Sequence, residues 1–370
     1  MEKLCNFCGN VYVEAEISRK VATKENNKYK VDDSFIVVYE NRFIGEGSYG
    51  QVHEGVFLKN EVKTPVAVKV IQFSIPTSAE NDTYVEAETN AMHELYVMCA
   101  VKHENIMKLI AWSKMITRSN DEDDVTYKIA MEMKSASLHD IFFPYKNYRN
   151  VYVDADIKTK VAVFKKVALG IANGIKVLHD NDIVHSDLKP DNILVSIEPS
   201  MELTRVQISD FGLSGGTETK RHASTREYED FITSFDMFRN GSSWTLRDKS
   251  DDLYAFGIII FNMFTGRKCY RTENDTEEGL FDGKIVFLTT FVYAKTDEIS
   301  VQIKNVKKEW INVLLDSVTL FVDLNEQYSS FFSNIVDLIR GCCRPKCTYT
   351  IDVVLEKLNA TFSELDSIEV

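Results

Sequence analysis

Two sets of residues in this 370-residue sequence are suited to chemistry on phosphate. The first is Gly45-Glu46-Gly47-Ser48-Tyr49-Gly50-Gln51-Val52, flanked on both sides by strand-like runs. Its glycines, Gly45, Gly47 and Gly50, let a backbone bend closely over a phosphate with no side chain in the way. The chain then re-enters a strand instead of opening a helix, which argues against a dinucleotide-binding turn and leaves a ligand-free hairpin as the plain alternative. Nineteen positions after Gly50, Lys69 ends the apolar run Val66-Ala67-Val68. An ammonium among apolar neighbours is costly unless it meets an anion or a carboxylate. Glu94 is the favoured partner, with Glu86 and Glu88, one or two helical turns earlier, as alternatives.

The second set is Ile183-Val184-His185-Ser186-Asp187-Leu188-Lys189-Pro190-Asp191-Asn192-Ile193-Leu194, followed by Ile208-Ser209-Asp210-Phe211-Gly212. With the glycine loop and Val66-Ala67-Val68-Lys69 ahead of them in this order, these segments resemble the eukaryotic protein kinase family. Lys189, two residues after Asp187, is similar to the serine/threonine type. The resemblance runs from about Phe35 to about Phe362 and implies an α+β, bilobal fold, with a small antiparallel β-rich N-lobe carrying one key helix and a larger helical C-lobe. It also implies transfer of the γ-phosphate of ATP, with Mg2+, to Ser or Thr hydroxyls of a protein substrate. By resemblance Asp187 takes up the hydroxyl, Lys189 stabilises the transferring phosphoryl group, Asn192 and Asp210 hold magnesium, and Lys69 holds the α/β-phosphates while pairing with Glu94. The adenine slot would be Val52 and Ala67 above and Leu194 below, with Met131 as gatekeeper and residues Glu132 to Lys134 as hinge. Asp252, opening Asp252-Leu253-Tyr254-Ala255-Phe256-Gly257, would brace the catalytic loop or cap its own helix.

The sequence departs from the family at several points. Ser186 stands where many members carry an Arg that pairs with a phosphorylated activation loop. Phosphorylation of Ser224, Thr225 or Tyr228, read as residues of a solvated loop, is therefore expected to be unnecessary. Ser234-Phe235-Asp236 replaces the usual Ala-Pro-Glu, and Thr348 its usual Arg partner. These changes bear on substrate docking and regulation more than on phosphate chemistry, and they support a second reading, a pseudokinase acting as a nucleotide-binding scaffold. A small-molecule kinase of related fold ranks last.

The elements that must hold these residues are visible as patterns. β-branched and aromatic residues broken by glycine turns predict an antiparallel meander over residues 35–71. Ala87, Ala91, Leu95 and Met98 keep a helical period, short apolar runs follow at residues 106–112 and 127–133, and Ser119 to Asp124 reads as a solvated loop. Val161, Phe164, Ala168, Ile171, Ile175 and Leu178 predict a long amphipathic helix, residues 253–264 a buried one, and Ile351, Val354, Leu355 and Leu358 a last one. The expected divisions are an N-terminal extension at 1–34, N-lobe and hinge at 35–134, C-lobe at 135–362 and a tail at 363–370.

Forty-three Lys plus Arg against fifty-six Asp plus Glu give a net charge of −13, an unfavourable balance for a nucleic acid partner. The basic residues Lys220, Arg221 and Arg226 specify no substrate, since such clusters are usually just solvated. No secretory signal opens the sequence, and the longest apolar stretch falls short of the ~20 residues that cross a bilayer, so an intracellular, cytoplasmic chain without membrane insertion is expected. The seven cysteines form no disulfide framework. Cys5-x-x-Cys8 could join two of Cys342, Cys343 and Cys347 around zinc, but without a matching second pair reduced thiols are the expectation.

Overall fold

Glycine turns and alternating apolar residues build a five-stranded antiparallel sheet from β1 (Ile36–Gly47), β2 (Gly50–Lys59), β3 (Val62–Pro76), β4 (Leu109–Arg118) and β5 (Glu122–Glu132), in the order β1-β2-β3-β5-β4. The computed structural model describes residues 28–47, 50–76, 82–119, 122–143, 148–217, 219–222, 228, 244–265, 329–343 and 349–368. Between β2 and β3 the chain turns in two residues, Asn60 and Glu61, both at positive φ, the backbone sense that matches the twist of a tight hairpin. Gly45 lies opposite Val52, Val52 opposite Lys69 and Ala67 opposite Met131. Opposed residues project to the same side, so these residues share one face. Val66 and Val68 turn to the other face, into a small cluster with Ile36, Phe57, Ala111 and Ala130.

Helix α1 (Asp82–Ala100) follows β3 and buries Ala91, Leu95 and Met98, the spacing that the apolar pattern predicts. The strand β5 starts earlier than the sequence suggests: Glu122 to Asp124, read as loop, pair with β3 and β4. Their side chains are exposed or half-buried, and Asp124 accepts a hydrogen bond from Ser74 at 2.6 Å, so polar residues sit at a strand end without entering a core.

The segment expected to be an extension reaches the fold before its assigned end at residue 34. Trp112 on the outer strand β4 donates its backbone N–H to Tyr29 and accepts from Val31, both at 2.9 Å. Asp33 accepts from the Ser113 hydroxyl at 2.7 Å and the Lys128 ammonium at 2.6 Å. Residues 28–34 therefore lie along the edge of the sheet, a placement their polar composition does not announce.

The second half is helical. Short β6 (Ala136–Ser137) and α2 (Leu138–Phe142) lead to α3 (Ile157–Asp180), whose N-terminus is capped by the Asp156 carboxylate on the Thr159 N–H at 2.8 Å. After β7 (Ile183–Val184), β8 (Ile193–Ile197) and β9 (Leu203–Ile208) form a small sheet with β6, while β10 (Gly215–Gly216) pairs with β7 and β11 (Lys220–His222) with β12 (Trp244–Leu246). Helix α4 (Lys249–Thr265) is buried continuously over residues 252–263, the central helix that its apolar sequence predicts. Helix α5 (Ser329–Cys342) packs beside it, and α6 (Ile351–Ile368) packs on α3 and α5, with Phe164 of α3 meeting Phe331 and Phe362 edge to face at 5.7 and 6.4 Å. Helix α6 continues past residue 362, where a tail was expected: Leu365 is buried in it and Asp366 pairs with Lys165 at 2.7 Å.

Candidate active site

Lys69 projects from β3 towards α1, and its ammonium lies 2.8 Å from Glu94 and 2.6 Å from Asp210. Of the three candidate glutamates, Glu94 is the one that meets Lys69. Glu88 is instead bound to Lys114 at 2.6 Å and to the Tyr127 hydroxyl at 2.8 Å, and the side chain of Glu86 lies outside the described residues. Burial pushes the Lys69 ammonium down, but the Glu94 and Asp210 carboxylates outweigh it and hold the group above its ordinary value. Burial also raises Glu94, against the pull of Lys69 and assisted by repulsion from Asp210. One cation thus holds two carboxylates, one from each lobe. Asp210 adopts a left-handed backbone, φ 60°, at the entry to the short turn of Phe211–Leu213. That conformation is strained for a residue other than glycine, and the fully buried Phe211 ring against His185 at 5.4 Å fixes it in place.

Asp187 sits in the loop between β7 and β8. Its carboxylate accepts from Lys189 at 2.9 Å and from the Asn192 amide at 3.1 Å, and the same amide reaches the Asp187 carbonyl at 2.8 Å. Asp252, in the first turn of α4, supports the loop from beneath. It accepts the backbone N–H of His185 and of Ser186 and a hydrogen bond with His179, each at 2.9 Å. Burial would raise this carboxyl, but the hydrogen bond and charge of His179, together with His185, hold it below its ordinary value. Ser186 has φ 68°, and its buried hydroxyl has no hydrogen-bond partner among the described residues.

Among the residues named for the adenine slot, Val52, Ala67 and Leu194 are half-buried, and Met131 is buried at the end of β5. Glu132 and Lys134 bind one another through their side chains at 3.2 Å, and Arg205 joins Glu132 at 3.3 Å. The Glu132 N–H donates to the Lys108 carbonyl at 3.3 Å. Gly45 and Gly50 differ in kind: a Cβ on Gly45 would meet open space, whereas one on Gly50 would collide with the Val70 carbonyl. Gly47 pairs with Gly50 across the turn, and Ser48 and Tyr49 lie outside the described residues.

The Asp210 carboxylate and the Asn192 amide oxygen are hard donors of the kind magnesium takes. Among the described residues no group of three or more His, Cys, Asp or Glu side chains could hold a metal by itself. Cys99, Cys342 and Cys343 are buried, and Cys5, Cys8, Cys269 and Cys347 lie outside the described residues.

The structure corrects one reading. Tyr228, expected on a solvated loop, is buried, and its hydroxyl accepts from Asn262 of α4 at 2.9 Å. An aromatic ring in a polar stretch found an apolar face that sequence order does not show. Ser224, Thr225, Arg226, Ser234 to Asp236 and Thr348 lie outside the described residues, as do the side chains of Lys220 and Arg221. Two contributors carried no motif. His179 follows Ile175 by four positions on the buried face of α3, a signal that could have found it, while His93 reaches the Ser214 hydroxyl at 3.1 Å. Burial and the Arg247 charge depress His93 to about 4.

A family model described as protein kinase domain matches residues 38–350. The chain is 26% identical over 240 residues to the probable serine/threonine-protein kinase PBL23 of Arabidopsis thaliana, covering 64% of this chain and 54% of that protein. It is 25% identical over 247 residues to the probable serine/threonine-protein kinase gdt2 of Dictyostelium discoideum, covering 66% and 13%. The LysM domain receptor-like kinase 3 of Arabidopsis thaliana is 27% identical over 241 residues, covering 63% and 31%. The chain thus matches only part of each relative's length.

Proposed function

The chain belongs to the protein kinase domain family, and from that premise we propose that it transfers the γ-phosphate of ATP, with magnesium, to Ser or Thr hydroxyls of a protein substrate. The observation that carries this reading is the bridge from Lys69 to both Glu94 and Asp210, with Asp187, Lys189 and Asn192 linked to one another on the C-lobe side. Phosphoryl transfer asks a protein mainly for positioning and for compensation of charge. Lys69 binds the α/β-phosphates, Asp187 orients the acceptor hydroxyl, and Lys189 faces the charge that builds on the group in transit. The acceptor oxygen forms a bond to the γ-phosphorus as the bond to the β-phosphate oxygen breaks. The hydroxyl proton passes to Asp187, and ADP leaves. Asn192 and Asp210 would hold the magnesium, which when bound neutralises phosphate charge. Val52, Ala67 and Leu194 enclose the adenine, beside Met131 and the backbone of residues 132–134, under the loop of Gly45, Gly47 and Gly50.

In this reading residues 35–134 form the N-lobe and hinge and residues 135–362 the C-lobe. Among the described residues no helix is long and apolar enough to cross a membrane. Seven cysteines whose spacing forms no disulfide framework favour a reducing, intracellular compartment. The competing reading is a nucleotide-binding scaffold without turnover, and Ser186, standing where many family members carry Arg, speaks for it.

Transfer of labelled γ-phosphate to a generic basic protein decides between them, with Asp187→Asn and Lys69→Met as controls. Labelling of Ser or Thr by the wild type, reduced at least about 10²-fold in both variants, is the expected result. A wild type as silent as the variants with magnesium and manganese, yet thermally stabilised by ATP, would establish the scaffold.

A further inference from the structure

Arg247, between β12 and α4, lies outside every motif in the sequence, yet the chain immediately after Asp210 is wound around it. Its guanidinium donates to the Leu213 carbonyl through Nη2 at 2.9 Å and Nε at 3.3 Å, and to the Thr219 hydroxyl through Nη1 at 2.7 Å. Its backbone N–H donates to the Thr219 carbonyl at 2.8 Å, continuing the pairing of β11 with β12. Gly215 lies under the guanidinium: a Cβ there would come within 2.7 Å of Cζ and 2.8 Å of Nε and Nη1. The plane of the group thus rests on a residue that has no side chain to displace it.

The wound segment meets the candidate active site at two places. Leu213 is three residues from Asp210, and the next residue, Ser214, is held to α1 by His93, the neighbour of Glu94. Gly215 and Gly216 pair with Val184 and Ile183, which lead directly into His185, Ser186 and Asp187. A guanidinium keeps its charge at any physiological pH and offers donors in a rigid fork, so it can organise several carbonyl and hydroxyl oxygens at once. No phosphate is needed for that.

We propose that Arg247 is the positioning residue of this kinase: residues 213–217 and Thr219 take their places around its guanidinium, and that arrangement holds Asp210 and the Asp187 loop in register. The proposal rests on the kinase reading for its catalytic consequence alone. The clamp itself is a statement about structure and can be tested without turnover.

Three full-length variants separate the possibilities. Arg247→Met removes the donors, Arg247→Lys keeps the charge without the fork, and Gly215→Ala places a methyl group where the guanidinium rests. Each should lower kcat about tenfold, since small displacements of reacting groups are costly, while KM for ATP stays within about twofold. Amide hydrogen exchange over residues 213–219 should quicken about tenfold in all three, with the C-lobe helices α3 and α4 still protected. Unchanged exchange in Arg247→Met overturns the proposal, whatever happens to kcat. So does normal turnover in a variant whose segment has loosened. If the wild type transfers no phosphate, the kinase reading fails, and the exchange measurement still decides the clamp.

Discussion

Glu94 and Asp252 are equally buried, each 1% exposed, and stand on opposite sides of the same catalytic constellation. Asp252 is surrounded by donors: two backbone N–H groups and His179, all at 2.9 Å, hold it ionised. Glu94 shares a single cation with a second carboxylate, Asp210, and burial pushes it towards its neutral form. A buried carboxylate whose needs are met fixes the backbone around it, whereas one that burial drives towards its neutral form is stabilised in its charged state by added positive charge.

The sharpest test of that contrast is Asp252→Asn. The amide keeps the shape but turns an NH2 towards a backbone donor, and loss of one partner of a buried ionic group costs about 3–5 kcal/mol. Equilibrium denaturation should show a loss in that range. Glu94→Gln should cost about 1 kcal/mol or less by the same measurement, because Lys69 retains Asp210 and the carboxyl was already poorly stabilised in its charged form. Equal losses at the two positions would break the comparison.

A smaller effect concerns His93, which contacts Ser214 and feels the charge of Arg247. Its folded value of about 4 lies below its ordinary 6.5, so the unfolded chain takes up the proton first. Stability from this group is therefore complete above pH 6.5 and is lost as pH falls towards 4, by up to about 1.4 kcal/mol per pH unit. His93→Gln should flatten stability over that window while leaving it nearly unchanged at pH 8. An unaltered pH profile would remove His93 from the account.

The motifs made the bilobal fold legible, the residues they single out meet in space as Lys69 with Glu94 and Asp210 and as Asp187 with Lys189 and Asn192, and the helical period exposed α3 and α4 directly. Choosing Glu94 over Glu88 rested on order along the chain, and the structure adds that Glu88 is occupied by Lys114 and Tyr127. Arg247 was illegible, since its contacts reach back 28 and 34 positions to a carbonyl and a hydroxyl that any sequence contains. Tyr228 was misread because a polar neighbourhood says nothing about one ring. The end of α6 was missed because Phe362 and Leu365 continue the buried face beyond the point where the family resemblance stops.

The pairing of residues 29 and 31 with Trp112 also bears on how copies of this molecule behave towards one another. Strand β4 ends the sheet, and its outer row of N–H and carbonyl groups is a template for any passing extended chain. The strap occupies that template at Trp112, near the exposed Met115 and Ile116. A domain cut to begin at Phe35 would bare this edge beside those two exposed side chains, and strand-to-strand self-association would then be favoured.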